Sequence, residues 1–242
     1  MDALSLYRAG ELQPAIEALG QELRKQPLDT RRRTFLFELL CFAGEYDRAE
    51  KQLDILADAS KEAAAGSLVY RSALHAERTR QEMFARGELP MQSAHPSPAG
   101  EWNGSGFEGL ADADSRIGAN LEVFIAGSYT WVPFAYIESV EVSAPTKLRD
   151  LMWATAILHP TSSFRLQDIG EVLLPVLSPL SWRSADDAVR LGRTTVWEED
   201  AKWEAVPLGQ KMFVSGDEEF SLLELRSLKF NSSVETGQSA TA

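Results

Sequence analysis

Residues 9–19 read AGELQPAIEAL and residues 43–53 read AGEYDRAEKQL, so one phrase returns after 34 residues. Laid over one another, 6–19 and 40–53 share six of fourteen positions: Leu6 with Leu40, Ala9 with Ala43, Gly10 with Gly44, Glu11 with Glu45, Ala15 with Ala49 and Leu19 with Leu53. The period is that of a tetratricopeptide-like helix hairpin. In such a hairpin a small Ala lets two antiparallel helices approach, and a large residue one turn later fills the groove beside it. Gly10 and Gly44 are placed to end the first helix of each pair, and Pro27 stops the helix between them. Asp29 is a fitting N-cap for TRRRTFLFELL.

The third copy departs from the pattern. Arg78 stands where the turn glycine is expected, and ERTRQEMFAR continues as helix to a late turn phrase, GELP, at 87–90. The expectation for residues 1–90 is therefore two full hairpins and a lengthened last helix. Helical repeats of this kind bind on the concave face made by the first helix of each pair. That face is expected to carry Tyr7, Arg8, Arg31, Thr34, Glu38, Phe42 and His75.

Residues 91–109 are rich in Pro, Gly and Ser and read as a linker or covering loop. They contain a formal G-x-G-x-x-G match, Gly104 to Gly109, but no buried strand precedes it, so a dinucleotide site is not expected. From residue 110 the periodicity changes to that of strands. LEVFIAGSYTWVPF reads as a hairpin turning at Gly127-Ser128, which pairs Phe124 with Trp131 and Val123 with Val132. KMFVSGDEEFSLLEL reads as another hairpin, turning near Gly216-Asp217, and YIESVEV and TTVWEEDAKWEAVPL as further strands. TKLRDLMWATAIL fits a helix or a strand. Strand and helix do not alternate regularly, so residues 110–230 are expected to form a mainly antiparallel α+β domain, followed by a polar, disordered tail at 231–242. The fold class is α+β.

Lys and Arg number 24 against 36 Asp and Glu, a formal charge of −12. That balance disfavours nucleic acid and anionic membrane surfaces, both of which reward basic patches, and favours protein partners. The single Cys41 excludes an internal disulfide. The N-terminus has no signal-peptide pattern and no window is apolar enough to span a membrane, which suggests a cytoplasmic protein.

Neither a metal-binding spacing nor a cofactor motif is present, so no metal, cofactor or catalytic residue is expected. The most enzyme-like phrase is ADADSR, in which Asp112 and Asp114 stand beside Arg116. Two carboxylates, with His159, are the material of a hydrolase or transferase cleft. A phrase of this type more often opens a helix, its Asp accepting from free N–H groups. Arg149, Asp150 and Arg193 are candidates for ion pairs with the same region, and the six tryptophans read as core. A generic peptide-binding chaperone using only the helical face is a further alternative.

The order of phrases AGEYDRAEKQLDIL, LEVFIAGSYTWVPFAYI, LRDLMWATAIL, LLPVLSP, LGRTTVWE and GQKMF resembles the ImpE (TagJ, SciE) family of accessory proteins of bacterial type VI secretion, from about residue 3 to 230. The resemblance implies a non-enzymatic, cytoplasmic adaptor. Its partners would be the small subunit of the contractile sheath and the AAA+ ATPase that disassembles contracted sheaths, and its effect would be on sheath recycling. It nominates Asp112, Asp114, Arg116, Tyr129, Trp131, Arg149, Asp150, Gly192, Arg193, Trp197, Gly209 and Gln210 as defining positions, without assigning them a role.

Overall fold

The computed structural model describes residues 1–91, 95–165 and 169–231; the expectation of a disordered tail falls, from residue 232 on, outside the described residues. The first element, α1 (Ala3–Ala9), ends at Gly10 and packs on α2 (Leu12–Lys25). Helices α3 (Thr30–Phe42) and α4 (Tyr46–Ala57) make the second hairpin, and α5 (Lys61–Arg86) runs past the expected turn position to Gly87. The caps are those the residue types call for: the Asp29 carboxylate accepts from the Arg32 backbone N–H at 2.9 Å, and Ser60 accepts from Ala63 at 3.1 Å. Ala15, Leu19, Ala49 and Leu53, the repeated small–large pairs, are all buried in one core. The lone Cys41 lies in that core as a small apolar side chain, its thiol pushed well up by burial.

An eight-stranded antiparallel sheet follows, in the order β2-β1-β13-β6-β7-β8-β4-β5. Its members are β1 (Gly100–Trp102), β2 (Ser105–Phe107), β4 (Asn120–Ile125), β5 (Ser128–Pro133), β6 (Ile137–Val142), β7 (Trp153–Pro160), β8 (Gly170–Pro175) and β13 (Ser227–Phe230). Two small sheets sit beside it: β9 (Thr195–Asp200) with β10 (Glu204–Gly209), and β3 (Ala111–Asp112) with β11 (Met212–Ser215) and β12 (Glu218–Ser221). A short helix, α6 (Asp187–Arg190), packs on β10. The fold is thus an N-terminal region of antiparallel helix pairs followed by a mainly antiparallel β-domain.

Alternation along the strands assigns the two faces of the main sheet. Leu121 and Val123 of β4, with Ala154, Ala156 and Leu158 of β7, fill a core on one face. Phe124 and Trp153 point the other way and join the core of the helices. Glu122 shares the helix-facing side, which decides its role below.

Two expectations are corrected and one open reading is settled. Residues 100–107 are not linker: Gly100–Trp102 pairs with β13 and Ser105–Phe107 folds back on it, so the G-x-G-x-x-G match is a strand-and-turn segment whose hairpin turns at Asn103-Gly104. The β4–β5 turn is centred on Ala126 and Gly127, both at positive φ, one residue earlier than expected. Phe124 therefore pairs with Tyr129, Val123 with Thr130, and Trp131 with Glu122. The ambiguous TKLRDLMWATAIL divides into a 3-10 turn at Leu148–Leu151 and strand β7.

Candidate functional site

A chain of buried charges joins the helices to the sheet. On α5, Arg80 forms a fork with Glu122 of β4, Nε to Oε1 and Nη2 to Oε2, each 2.8 Å. Lys211 lies 2.6 Å from the same carboxylate and pairs with Asp112, and all four side chains are closed to solvent. Burial alone would raise the Glu122 carboxyl, but Arg80 and then Lys211 outweigh it and hold it well below the ordinary range. Asp112, with less compensation, is pushed up by burial to about 7. Tyr129 donates its hydroxyl to Glu122, and the Trp131 indole N–H donates to Tyr129 in turn. Beside them Trp153 donates to Glu77 at 3.0 Å, and the Gln81 carbonyl oxygen accepts from Leu180 N–H at 2.8 Å and from Trp182 at 3.2 Å.

This arrangement corrects the reading of ADADSR. It opens no helix: Asp112 sits on β3 and accepts from the Asp114 N–H, and Asp114 forms a buried fork with Arg116 at 2.8 and 2.6 Å. Arg149, Asp150 and Arg193 do not pair with these carboxylates. Arg149 lies over the Tyr70 ring and 3.6 Å from Glu38, Asp150 accepts from Thr146 and Lys147 N–H, and Arg193 donates to the Tyr7 and Arg8 carbonyls. His159 is exposed on β7, away from the enclosed Asp112 and Asp114, so no open cleft gathers the three. Among the described residues, no group of His, Cys, Asp or Glu has the arrangement to hold a metal ion.

The residues expected on a concave helical face divide. Phe42 is in the core, Glu38 is buried against Arg149, and Tyr7 packs on Phe35 with Arg193 over its ring. The β-domain therefore occupies much of the hollow that a bare repeat would leave open. Arg8, Arg31 and His75 remain exposed, and Thr34 lines a groove of about 200 Å³ with Phe37, Leu56 and Tyr70.

Of the remaining positions, Gly192 faces Leu177, and a side chain at Gly209 would collide with the Thr194 carbonyl. Gln210 bridges to Leu177 and accepts from the Thr195 hydroxyl at 2.9 Å. Trp197, expected in the core, is 51% exposed. Sequence reading passed over the enclosed charges Arg80, Glu122 and Lys211. It also passed over a cleft of about 460 Å³ where α4, α5 and the turn Ser181–Arg183 meet. Tyr46 and Trp182 give the cleft aromatic walls, and Arg48, Arg78, Glu82 and Arg183 charge its rim.

Residues 104–229 match the ImpE protein family. The chain is also 33% identical, over 95% of its length and 91% of the other's, to the type VI secretion system accessory component TagJ of Pseudomonas aeruginosa. The chain belongs to the ImpE family. An X-ray structure of VPA1032 from Vibrio parahaemolyticus, 23% identical, superposes with a TM-score of 0.82 over 96% of this ImpE chain and 98% of the other. That likeness covers helices and sheets together, so the two regions recur as one arrangement. Among the described residues of this ImpE protein, no helix is long and apolar enough to cross a membrane.

Proposed function

We propose that this chain is a non-enzymatic adaptor of a type VI secretion system, acting in the cytoplasm. It would bind the small sheath subunit and, through it or directly, the AAA+ ATPase that recycles contracted sheath. The observation that carries the reading is its 33% identity, spread over 95% of the chain, to a type VI accessory component. The site chemistry is consistent with it: the strongly shifted carboxylates are enclosed and ion-paired, which suits the joining of two regions better than proton transfer to a substrate.

The partner surface we favour is the Tyr46–Trp182 cleft. Two aromatic walls with an arginine-bearing rim are the makings of an anchor pocket. Its lining comes from both regions, so neither alone completes it. His75 stands one turn from Arg78 on α5 and is exposed.

Calorimetric titration of the full chain with the small sheath subunit, then with the ATPase's N-terminal domain, tests this. Saturable binding of the sheath subunit that weakens in Trp182→Ala and Arg183→Glu is expected. Binding that ignores both but falls in Arg31→Glu moves the site to the outer helical face. No binding of either protein removes the adaptor mechanism.

A further inference from the structure

The β9–β10 ribbon offers a second surface, independent of the cleft. Among the described residues β9 pairs only with β10, so its other edge is open. Two observations fix which groups point along that edge. Gln210 N–H donates to the Thr194 carbonyl, which makes 194 and 210 a hydrogen-bonded pair, and pairs alternate from there. Pro207, opposite Trp197, has no N–H to give. Both place Trp197 opposite β10 in a pair that does not exchange hydrogen bonds, so the N–H and C=O groups of Trp197 and Glu199 face outward.

The side chains around those groups are unusual for an edge. Glu198 and Glu199 are exposed on opposite faces, and Trp197 beside them is 51% exposed. Asp200 is already engaged, its carboxylate accepting from Lys202 and Trp203 N–H at 2.8 and 3.1 Å where the ribbon turns. Charged edges ordinarily guard against unwanted pairing. Strand β12 shows that condition in the same molecule: among the described residues it pairs only with β11, and it exposes Glu218 and Glu219 but no large apolar side chain. A half-exposed indole on β9 works against such protection and supplies apolar area to an incoming strand.

We infer that the open edge of β9 is a docking site for an extended, basic segment of a partner protein, which adds as a third strand to the ribbon. The N–H and C=O groups of Trp197 and Glu199 supply the ladder. A basic side chain opposite Glu199 and an Arg over the Trp197 ring share one face, and a third basic side chain meets Glu198 on the other. A second copy of this chain is the wrong occupant, because antiparallel pairing of two β9 edges brings their glutamates together.

The probe is the peptide TVRKRVT, whose two arginines share one face and whose lysine points to the other, titrated into the full-length protein at low and high salt and followed by backbone and indole N–H resonances. The expected result is saturable binding with shifts concentrated on residues 195–200, weakened by salt and by about tenfold in Trp197→Ser or Glu199→Lys, a loss of about 1.4 kcal/mol. Circular dichroism confirms that both variants remain folded. The same peptide with every backbone nitrogen methylated keeps its charges but cannot donate to the ladder, and should not bind. Equal binding of the methylated peptide, indifference to both variants, or no saturation at millimolar peptide would each overturn the inference. Because the ribbon does not line the Tyr46–Trp182 cleft, Trp182→Ala should leave peptide binding unchanged.

Discussion

Arg80 and Glu122 meet in a two-pronged ion pair with side chains 1% and 0% exposed, and through it the longest helix is fastened to the main sheet. An enclosed ion pair contributes little over a well-packed apolar pair, but breaking one strands a charge where water cannot reach it. Arg80→Met is therefore expected to cost about 3–5 kcal/mol, read from urea unfolding. Arg80→Met with Glu122→Leu should cost less than Arg80→Met alone, since Lys211 keeps Asp112 as a partner. A loss under about 1 kcal/mol in the single variant would mean that water or a rearranged Lys211 neutralises Glu122, against the geometry described.

Gly44 separates α3 from α4 at φ +71, and a Cβ there would lie 2.6 Å from the Trp182 ring. Gly87 has a similar φ of +69 but nothing within 4 Å. Gly87→Ala should therefore show backbone strain alone, about 1 kcal/mol. Gly44→Ala should add the cost of displacing an indole, about 1–3 kcal/mol more. Thermal melts compare the two, and only Gly44→Ala should shift tryptophan fluorescence. Equal destabilisation with no spectral change would place Trp182 away from the α3–α4 turn.

The helical half was readable because its signals are local. A 34-residue repeat, glycines at helix ends and an Asp before TRRR all act over one or two turns. The strands at 100–107 were not, because three-residue strands carry no periodicity and Gly100–Trp102 is held by β13, more than a hundred residues on. The β4–β5 turn lies one residue earlier, and the pairing shifts by two residues, because Ala126, rather than the glycine after it, opens the turn at φ 48. The enclosed charges are a mixed case. Glu122 was visible as a carboxylate inside LEVF, but its partner lies 42 residues away, and Asp112 and Lys211 are separated by 99. Only the alternation of β4, which turns Glu122 toward α5, brings them together.

Arg193 reaches across the sequence to the carbonyls of Tyr7 and Arg8, the open C-terminal end of α1, with its guanidinium over the Tyr7 ring. A cation suits a helix C-terminus, where unpaired carbonyls gather negative charge. Arg193→Ala should loosen α1 without unfolding the sheet. Hydrogen exchange is expected to quicken across residues 3–9 and to stay as in the parent protein across β4 and β7. Uniform acceleration across both regions would show that this contact supports the whole fold instead of one helix.

Glu38 sits on the helix-facing side of Arg149, 3.6 Å from its guanidinium, and burial pushes its carboxyl up to about 7 from 4.5 despite that cation. In that window the folded chain keeps a proton that the unfolded chain has released, so stability falls as pH rises from about 4.5 to about 7. Glu38→Gln holds a neutral amide at every pH and lacks this loss. Unfolding free energies from urea titrations at pH 5.5 and pH 8 should therefore diverge less in Glu38→Gln than in the parent, by on the order of 1–3 kcal/mol. Some decline should persist in the variant, because Asp112 is raised into the same range. Glu122, held low, loses its contribution only in more acidic solution and does not confuse the comparison. An unchanged pH slope in Glu38→Gln would show that Arg149 already stabilises the ionised carboxylate, and that the α3 contact with the β-domain is a full ion pair.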